Sequence, residues 1–170
     1  MEKETLKKIL TFLEENEGHQ TPFLWKWVNN IPLTEKDLNI EGNLDLRDTD
    51  IKSLPDGLKI AGNLILTETD MRLLPERLEV AGNLYLDHSF IKSLPKDLKV
   101  GGDLDIEATY IELLPSGLQV GGDLYLNDSR LYKTTSIDKL RDIVKKMVEP
   151  GFIKGKVIFD DYDDWFKLNI

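Results

Sequence analysis

The chain has 170 residues, 41% of them hydrophobic, with 31 acids against 22 bases, a net charge of -9 and no cysteine. Disulfides and thiolate metal sites are excluded, and no run approaches the roughly 18 apolar residues that a membrane helix needs. A length of this order fits one domain, or one repeat array with two caps.

Met1 to Thr5 lack the apolar stretch of a secretory signal, so a cytoplasmic location is expected. Leu6, Ile9, Leu10 and Leu13 then follow the i, i+3, i+4, i+7 spacing of an amphipathic helix over residues 2–17, with Gly18 as its stop. Thr21-Pro22 has the residue types of an N-cap and a first helical position. It predicts a second, short helix carrying Phe23, Leu24, Trp25, Trp27 and Val28, ended by Asn29-Asn30-Ile31-Pro32. The two tryptophans are expected as a lid over the first coil of the segment that follows.

From Leu38 the chain repeats itself every 20 residues. Leu38, Leu58, Leu78, Leu98 and Leu118 share a column. Two places on stand Ile40, Ile60, Val80, Val100 and Val120. Gly42, Gly62, Gly82, Gly102 and Gly122 follow, then Asn43, Asn63, Asn83, Asp103 and Asp123. Leu44-x-Leu46 and its copies alternate as a strand with one buried face. Thr49, Thr69, Ser89, Thr109 and Ser129 form a hydroxyl column, and Leu-Pro steps recur at Pro55, Pro75, Pro95 and Pro115.

The physical reading is direct. One copy cannot hide its leucines, whereas stacked copies can. The glycines predict unusual φ or a close backbone approach. The Asn/Asp column suits turn hydrogen bonding. The hydroxyls are expected to bond the backbone of the neighbouring coil, about 4.8 Å away. Leu-Pro ends regular pairing and starts the return segment.

Beyond the array the pattern decays. Ser136 is placed to cap a helix over residues 137–148, with Ile137, Leu140, Val144 and Met147 on one face and Glu149-Pro150-Gly151 as terminator. Lys156 to Phe159 reads as a strand, and Trp165 to Ile170 as strand or cap.

The stretch Leu64-Ile65-Leu66-Thr67-Glu68-Thr69-Asp70-Met71-Arg72-Leu73-Leu74-Pro75 resembles the L-x-L-x-x-N-x-L-x-x-L-P pattern of leucine-rich repeats, in the short 20-residue class found in bacterial and phage proteins. Thr or Ser replaces the pattern's asparagine, and a second apolar pair, as in Leu58-Lys59-Ile60, precedes the strand. The expectation is therefore an α+β repeat solenoid, a five-coil stack that is either leucine-rich-repeat-like or a flatter β-solenoid. Residues 1–37 would form a helical N-terminal cap, 38–132 the five repeats, and 133–170 a mixed helix and strand C-terminal cap.

The outward positions are not dictated by the stack. Asp45, Ile65, Tyr85, Asp105 and Tyr125 form one such column, and Arg47, Thr67, Asp87, Glu107 and Asn127 the next but one. In a leucine-rich repeat this strand lines the recognition face. Past the hydroxyls, Phe90 and Tyr110 should lie about 5 Å apart. Exposed aromatics among acids are typical interface anchors, although stacking for sheet stability accounts for Phe90 and Tyr110 equally well. Asp45, Ile65, Tyr85, Asp105, Tyr125, Asp87, Glu107, Phe90 and Tyr110 are the candidate partner-binding residues.

Residues 38–132 hold 17 acids against 9 bases. That balance argues against direct nucleic-acid binding. The histidines, His19 and His88, belong to no paired motif, and no phosphate-binding or zinc-protease motif occurs. Asp160-Asp161-Tyr162-Asp163-Asp164 lacks the glycine and terminal glutamate of a calcium loop, and reads as a solvated turn. No cofactor or metal is expected, and no enzymatic activity. Three functions remain open. The first is a protein-binding module, for which a basic partner would suit the acidic face. The second is an acidic decoy for a nucleic-acid-binding protein. The third is a glycan-directed protein using Asp87, Asp105 and Glu107 with Tyr85 and Tyr125.

Overall fold

Residues 23–136, 138–140, 142–143 and 153–158 are described by a computed structural model of the chain. The helix expected over 2–17, the Thr21-Pro22 cap, the acidic run 160–164 and the final segment 165–170 lie outside the described residues.

The repeats form a parallel β-solenoid of about four turns, bounded by five copies of a strand pair. Each copy contributes one two-residue strand to each of two parallel sheets. The first sheet holds β1 (Asn39–Ile40), β3 (Lys59–Ile60), β5 (Glu79–Val80), β7 (Lys99–Val100) and β9 (Gln119–Val120) in that order. The second holds β2 (Leu44–Asp45), β4 (Leu64–Ile65), β6 (Leu84–Tyr85), β8 (Leu104–Asp105) and β10 (Leu124–Tyr125), with β11 (Val157–Ile158) beyond β10. Every regular pairing is in register at 20 residues, as in Leu64↔Leu84 and Ile60↔Val80. Of the two stacks left open by the sequence, this is the β-solenoid: the second apolar pair makes its own sheet. The Leu-Pro stretch returns the chain without strand or helix.

The apolar columns fill the interior. Leu64, Leu84, Leu104 and Leu124 are fully buried, as are Leu66, Leu86 and Ile106. Each such side chain contributes about 1.5–3 kcal/mol by leaving water. Ile51, Met71, Ile91, Ile111 and Leu131 close the core from the third side.

A turn separates the second sheet from that third side. In each copy the hydroxyl residue's N–H donates to the carbonyl three residues back, as from Ser89 to Leu86 at 3.1 Å. The residue before it has positive φ: Asp48 (55°), Glu68 (57°), His88 (57°), Ala108 (51°) and Asp128 (53°). That is the third position of a type II turn, usually Gly or Asn. The glycine column does not supply this conformation. Gly62 and Gly82 have ordinary φ and are needed for close approach. A Cβ on Gly82 would press on Asn63 Oδ1 and come within 2.7 Å of the Gly62 carbonyl oxygen.

Two further expectations are corrected. The threonine hydroxyls bond within their own coil, not to its neighbour: Thr49, Thr69 and Thr109 donate to the carbonyls of Leu46, Leu66 and Ile106 at 2.7–2.8 Å. A side chain so placed satisfies a carbonyl at the corner where the coil leaves the sheet. The Asn/Asp column does the opposite and reaches across coils. Asn43, Asn63, Asn83 and Asp103 each accept, through Oδ1, the backbone N–H of the residue 20 further on, at 2.7–2.8 Å.

Among the described residues the caps hold short helical pieces, and residues 138–140 and 142–143, within the helix expected over 137–148, are helical. The helix α1 (Phe23–Val28) buries Phe23, packs Leu24 and Trp27 on the core, and ties Trp27 Nε1 to the Ser53 carbonyl at 2.9 Å. Lys26 Nζ meets Asp37 at 2.6 Å, and Thr34 donates to the same carboxylate from backbone and hydroxyl. These donors hold the Asp37 carboxyl down at about 2. At the other end Ser129 caps the short α2 (Arg130–Thr134). Ser136 accepts from Lys139 as expected, and Leu140 is buried.

The chain then returns to the stack. Ile153 bridges Val120, Gly155 N–H donates to Gly122, Lys156 N–H to Asp123 Oδ1, and Val157 and Ile158 pair with Leu124 and Tyr125. This closing segment copies the repeat at a distance of 33 residues rather than 20. Its Ile153-Lys154-Gly155-Lys156-Val157 matches Ile40-Glu41-Gly42-Asn43-Leu44 in residue type, a signal legible in the sequence. Lys156 stands where the Asn/Asp column would continue. A lysine side chain carries only donor atoms, so it does not take over the accepting role of that column.

Candidate functional site

Parallel pairing puts Asp45, Ile65, Tyr85, Asp105 and Tyr125 side by side on the second sheet, one per coil. The register extends the column to Ile158, which the sequence reading did not assign to it. The inward neighbours Leu44 to Leu124 anchor each strand, so the outward side chains sit on a rigid floor. Asp45 is exposed, and Ile65, Tyr85, Asp105 and Tyr125 are half-buried by their neighbours along the stack.

Polar side chains flank this column. Asp45 holds Arg47 at 2.6 Å. Thr67 donates to Asp87 at 2.7 Å, and Asn127 to Glu107 at 2.7 Å. His88 Nδ1 lies 3.5 Å from Asp87. Asn83 donates to the Tyr85 hydroxyl at 2.8 Å, fixing that ring at the column's edge.

Asp105 sits between Tyr85 and Tyr125 and accepts the backbone N–H of Glu107 at 2.9 Å. Burial pushes its carboxyl up to about 6, and the charges of Glu107 and Asp87 add to the rise against the opposing backbone hydrogen bond. Tyr125 is raised from its ordinary value, first by burial and then by Asp103, Asp123, Asp105 and Glu107. The centre of this face is thus an acidic cluster framed by two tyrosines. It can offer hydrogen-bond acceptors and negative charge to a cationic group, with ring area for apolar contact.

Phe90 and Tyr110 lie around the turn, on the third side. Their ring centroids are 5.8 Å apart and the planes 9° from parallel. The expected adjacency is met, but these two side chains do not share the sheet face with Tyr85 and Tyr125.

Two surface grooves, of about 430 and 550 Å³, open beside the first sheet instead. The smaller has a floor of Ala61, Val80, Ala81 and Gly101. Above it Glu79 takes Lys99 at 3.1 Å and Lys59 at 3.8 Å, and the bond to Lys99 lowers its carboxyl. Neither groove is lined by Asp87, Asp105 or Glu107.

Among the described residues no three His, Cys, Asp or Glu side chains are grouped to hold a metal ion, and no helix is long and apolar enough to cross a membrane. No protein-family model, no curated protein and no solved structure matches the chain.

Proposed function

We propose that this chain is a non-enzymatic protein-binding module, and that the outward face of the second sheet takes a partner bearing basic side chains. One observation carries the reading: a single in-register column, Ile65–Tyr85–Asp105–Tyr125–Ile158, places two tyrosine rings on either side of a carboxylate on a preformed floor. Rigid aromatic anchors beside a charged acceptor give apolar area and sign selectivity at little ordering cost. Asp87 and Glu107 widen the negative field, while Asp45 is engaged by Arg47 at its edge.

The test is affinity capture from the source cells, with bound proteins identified by mass spectrometry. Tyr85→Ala with Tyr125→Ala should lose the wild-type partner while keeping the wild-type melting temperature. Unchanged capture by the folded double variant would remove this face from consideration.

A second reading, the acidic decoy of a nucleic-acid-binding protein, draws support from the crowding of Asp87, Asp105 and Glu107, whose mutual repulsion favours a cationic ligand. It predicts that DNA competes with this chain for the partner and that binding weakens steeply with salt.

A further inference from the structure

We propose that the third side of the solenoid, between the hydroxyl turn and the Leu-Pro step, docks an acidic peptide segment bearing aromatic or aliphatic side chains. This surface is separate from the tyrosine face of the second sheet, and the two stand or fall independently.

Four large hydrophobic side chains are exposed among the described residues: Leu73 (63%), Phe90 (45%), Tyr110 (44%) and Leu113 (74%). All four lie on this one side. Phe90 and Tyr110 share the column after the hydroxyls, and Leu73 and Leu113 share the column three places on. Chance scatter of surface apolar residues needs no explanation, but their convergence on one side of a solenoid marks an interaction surface.

Between those columns runs a basic one. Lys52, Arg72 and Lys92 occupy its first three coils, with Glu112 in the fourth, and Lys92 N–H donates to the Arg72 carbonyl at 3.3 Å. Coils repeat about every 4.8 Å, so like charges accumulate along the stack. Among the described residues Lys52 is met by Asp70, at 4.0 Å, both of them well exposed. Arg72 and Lys92 have no ion pair among the described residues, whereas Arg130 at the far end is taken up by Glu112 at 2.8 Å. Within repeats that are strongly acidic overall, this strip has the opposite sign. Carboxylates on a docked segment would relieve the repulsion, and its apolar side chains would cover Phe90, Tyr110 and the two leucines. The apolar contacts would supply affinity and the cations the choice of charge.

A single-stranded nucleic acid also carries negative charge and flat rings. The geometry favours a peptide. Phe90 and Tyr110 already stack on each other, so their facing surfaces are taken. Leu73 and Leu113 offer a base edge no hydrogen bond.

The test is peptide-display selection on the full chain. Enriched sequences are then synthesised and titrated by fluorescence anisotropy, beside versions with Asp and Glu changed to Lys and a 12-nucleotide oligothymidylate. The expected peptides carry Asp or Glu together with Trp, Phe or Leu. Arg72→Glu with Lys92→Glu should weaken them on the order of tenfold or more. Phe90→Ser with Tyr110→Ser should remove binding, and Tyr85→Ala with Tyr125→Ala should leave it unchanged. The proposal is overturned by a failure to enrich peptides, by selection of basic ones, by indifference to the charge reversal in a protein that keeps its circular dichroism, or by oligothymidylate binding that depends on Arg72 and Lys92.

Discussion

Asn63 Oδ1 accepts the backbone N–H of Asn83, 20 residues on, at 2.8 Å, and Asn83 Oδ1 does the same for Asp103. A short side chain thus does the work of a backbone carbonyl where the chain turns from the first sheet to the second, because the Asn63 carbonyl itself points to the preceding coil and accepts the Leu44 N–H.

Asn63→Ala removes this acceptor and leaves the half-buried Asn83 N–H without one. The expected loss is about 1–3 kcal/mol, read from the urea midpoint. Asn63→Asp should lose far less, because Asp103 and Asp123 already serve the ladder with a carboxylate. Equal losses for the two variants would show that the bond is not what holds the coils here.

Gly82 and Gly42 share a column but not a fate. Gly82→Ala drives a methyl group toward Asn63 Oδ1 and the Gly62 backbone, and should destabilise by roughly 1–3 kcal/mol. Gly42 heads the stack with nothing within 4 Å of the added carbon, so Gly42→Ala should change stability by less than about 0.5 kcal/mol. Thermal melts of both variants separate close approach from conformational freedom as the reason for the glycines.

Ala108→Gly should stabilise the protein. Ala108 sits at φ 51°, where an L side chain is strained by about 1–2 kcal/mol. The extra freedom glycine has when unfolded offsets part of this, leaving an expected gain of about 0.5 kcal/mol. A lowered melting temperature would contradict the turn geometry.

Asp105 makes stability depend on pH in an unusual direction. Its carboxyl titrates near 6 when folded and at the ordinary value near 4 when unfolded. Between these values the folded state binds more protons, so this group's contribution falls as pH rises through the window. Asp105→Asn keeps the acceptor for Glu107 N–H without the charge. It should raise the melting temperature at pH 7 and flatten its change between pH 4 and 6. A carbon-detected NMR titration that finds Asp105 in the usual carboxylate range would refute this.

Phe90 and Tyr110 stack in parallel with their rings nearly half exposed. A double-mutant cycle to alanine should give a coupling of about 0.5–1 kcal/mol in folding stability. Coupling near zero would mean that the pair contributes nothing to the isolated fold and leave recognition as the reason for it.

The sequence by itself determined the stack. Five in-register copies of Leu-x-Leu and its preceding apolar pair can bury their side chains only by lying on one another, and the outward columns follow from strand alternation. The tertiary structure decided what the repeat leaves degenerate. An asparagine and a threonine in fixed columns each have partners within reach three residues away and 20 residues away, and only the coil's path chose the neighbour for Asn63 and the home coil for Thr69. The closing strand was legible at Lys156 to Phe159, but its place as a further coil was not, because its 33-residue step breaks the period, although Ile153-x-Gly155-x-Val157 keeps the residue types. Phe90 and Tyr110 were legible as a pair, yet their separation from Tyr85 and Tyr125 depends on the turn at His88, whose positive φ carries the chain onto another side. Burial of Asp105 between two tyrosines is a property of neighbouring coils, and no single copy of the repeat contains it.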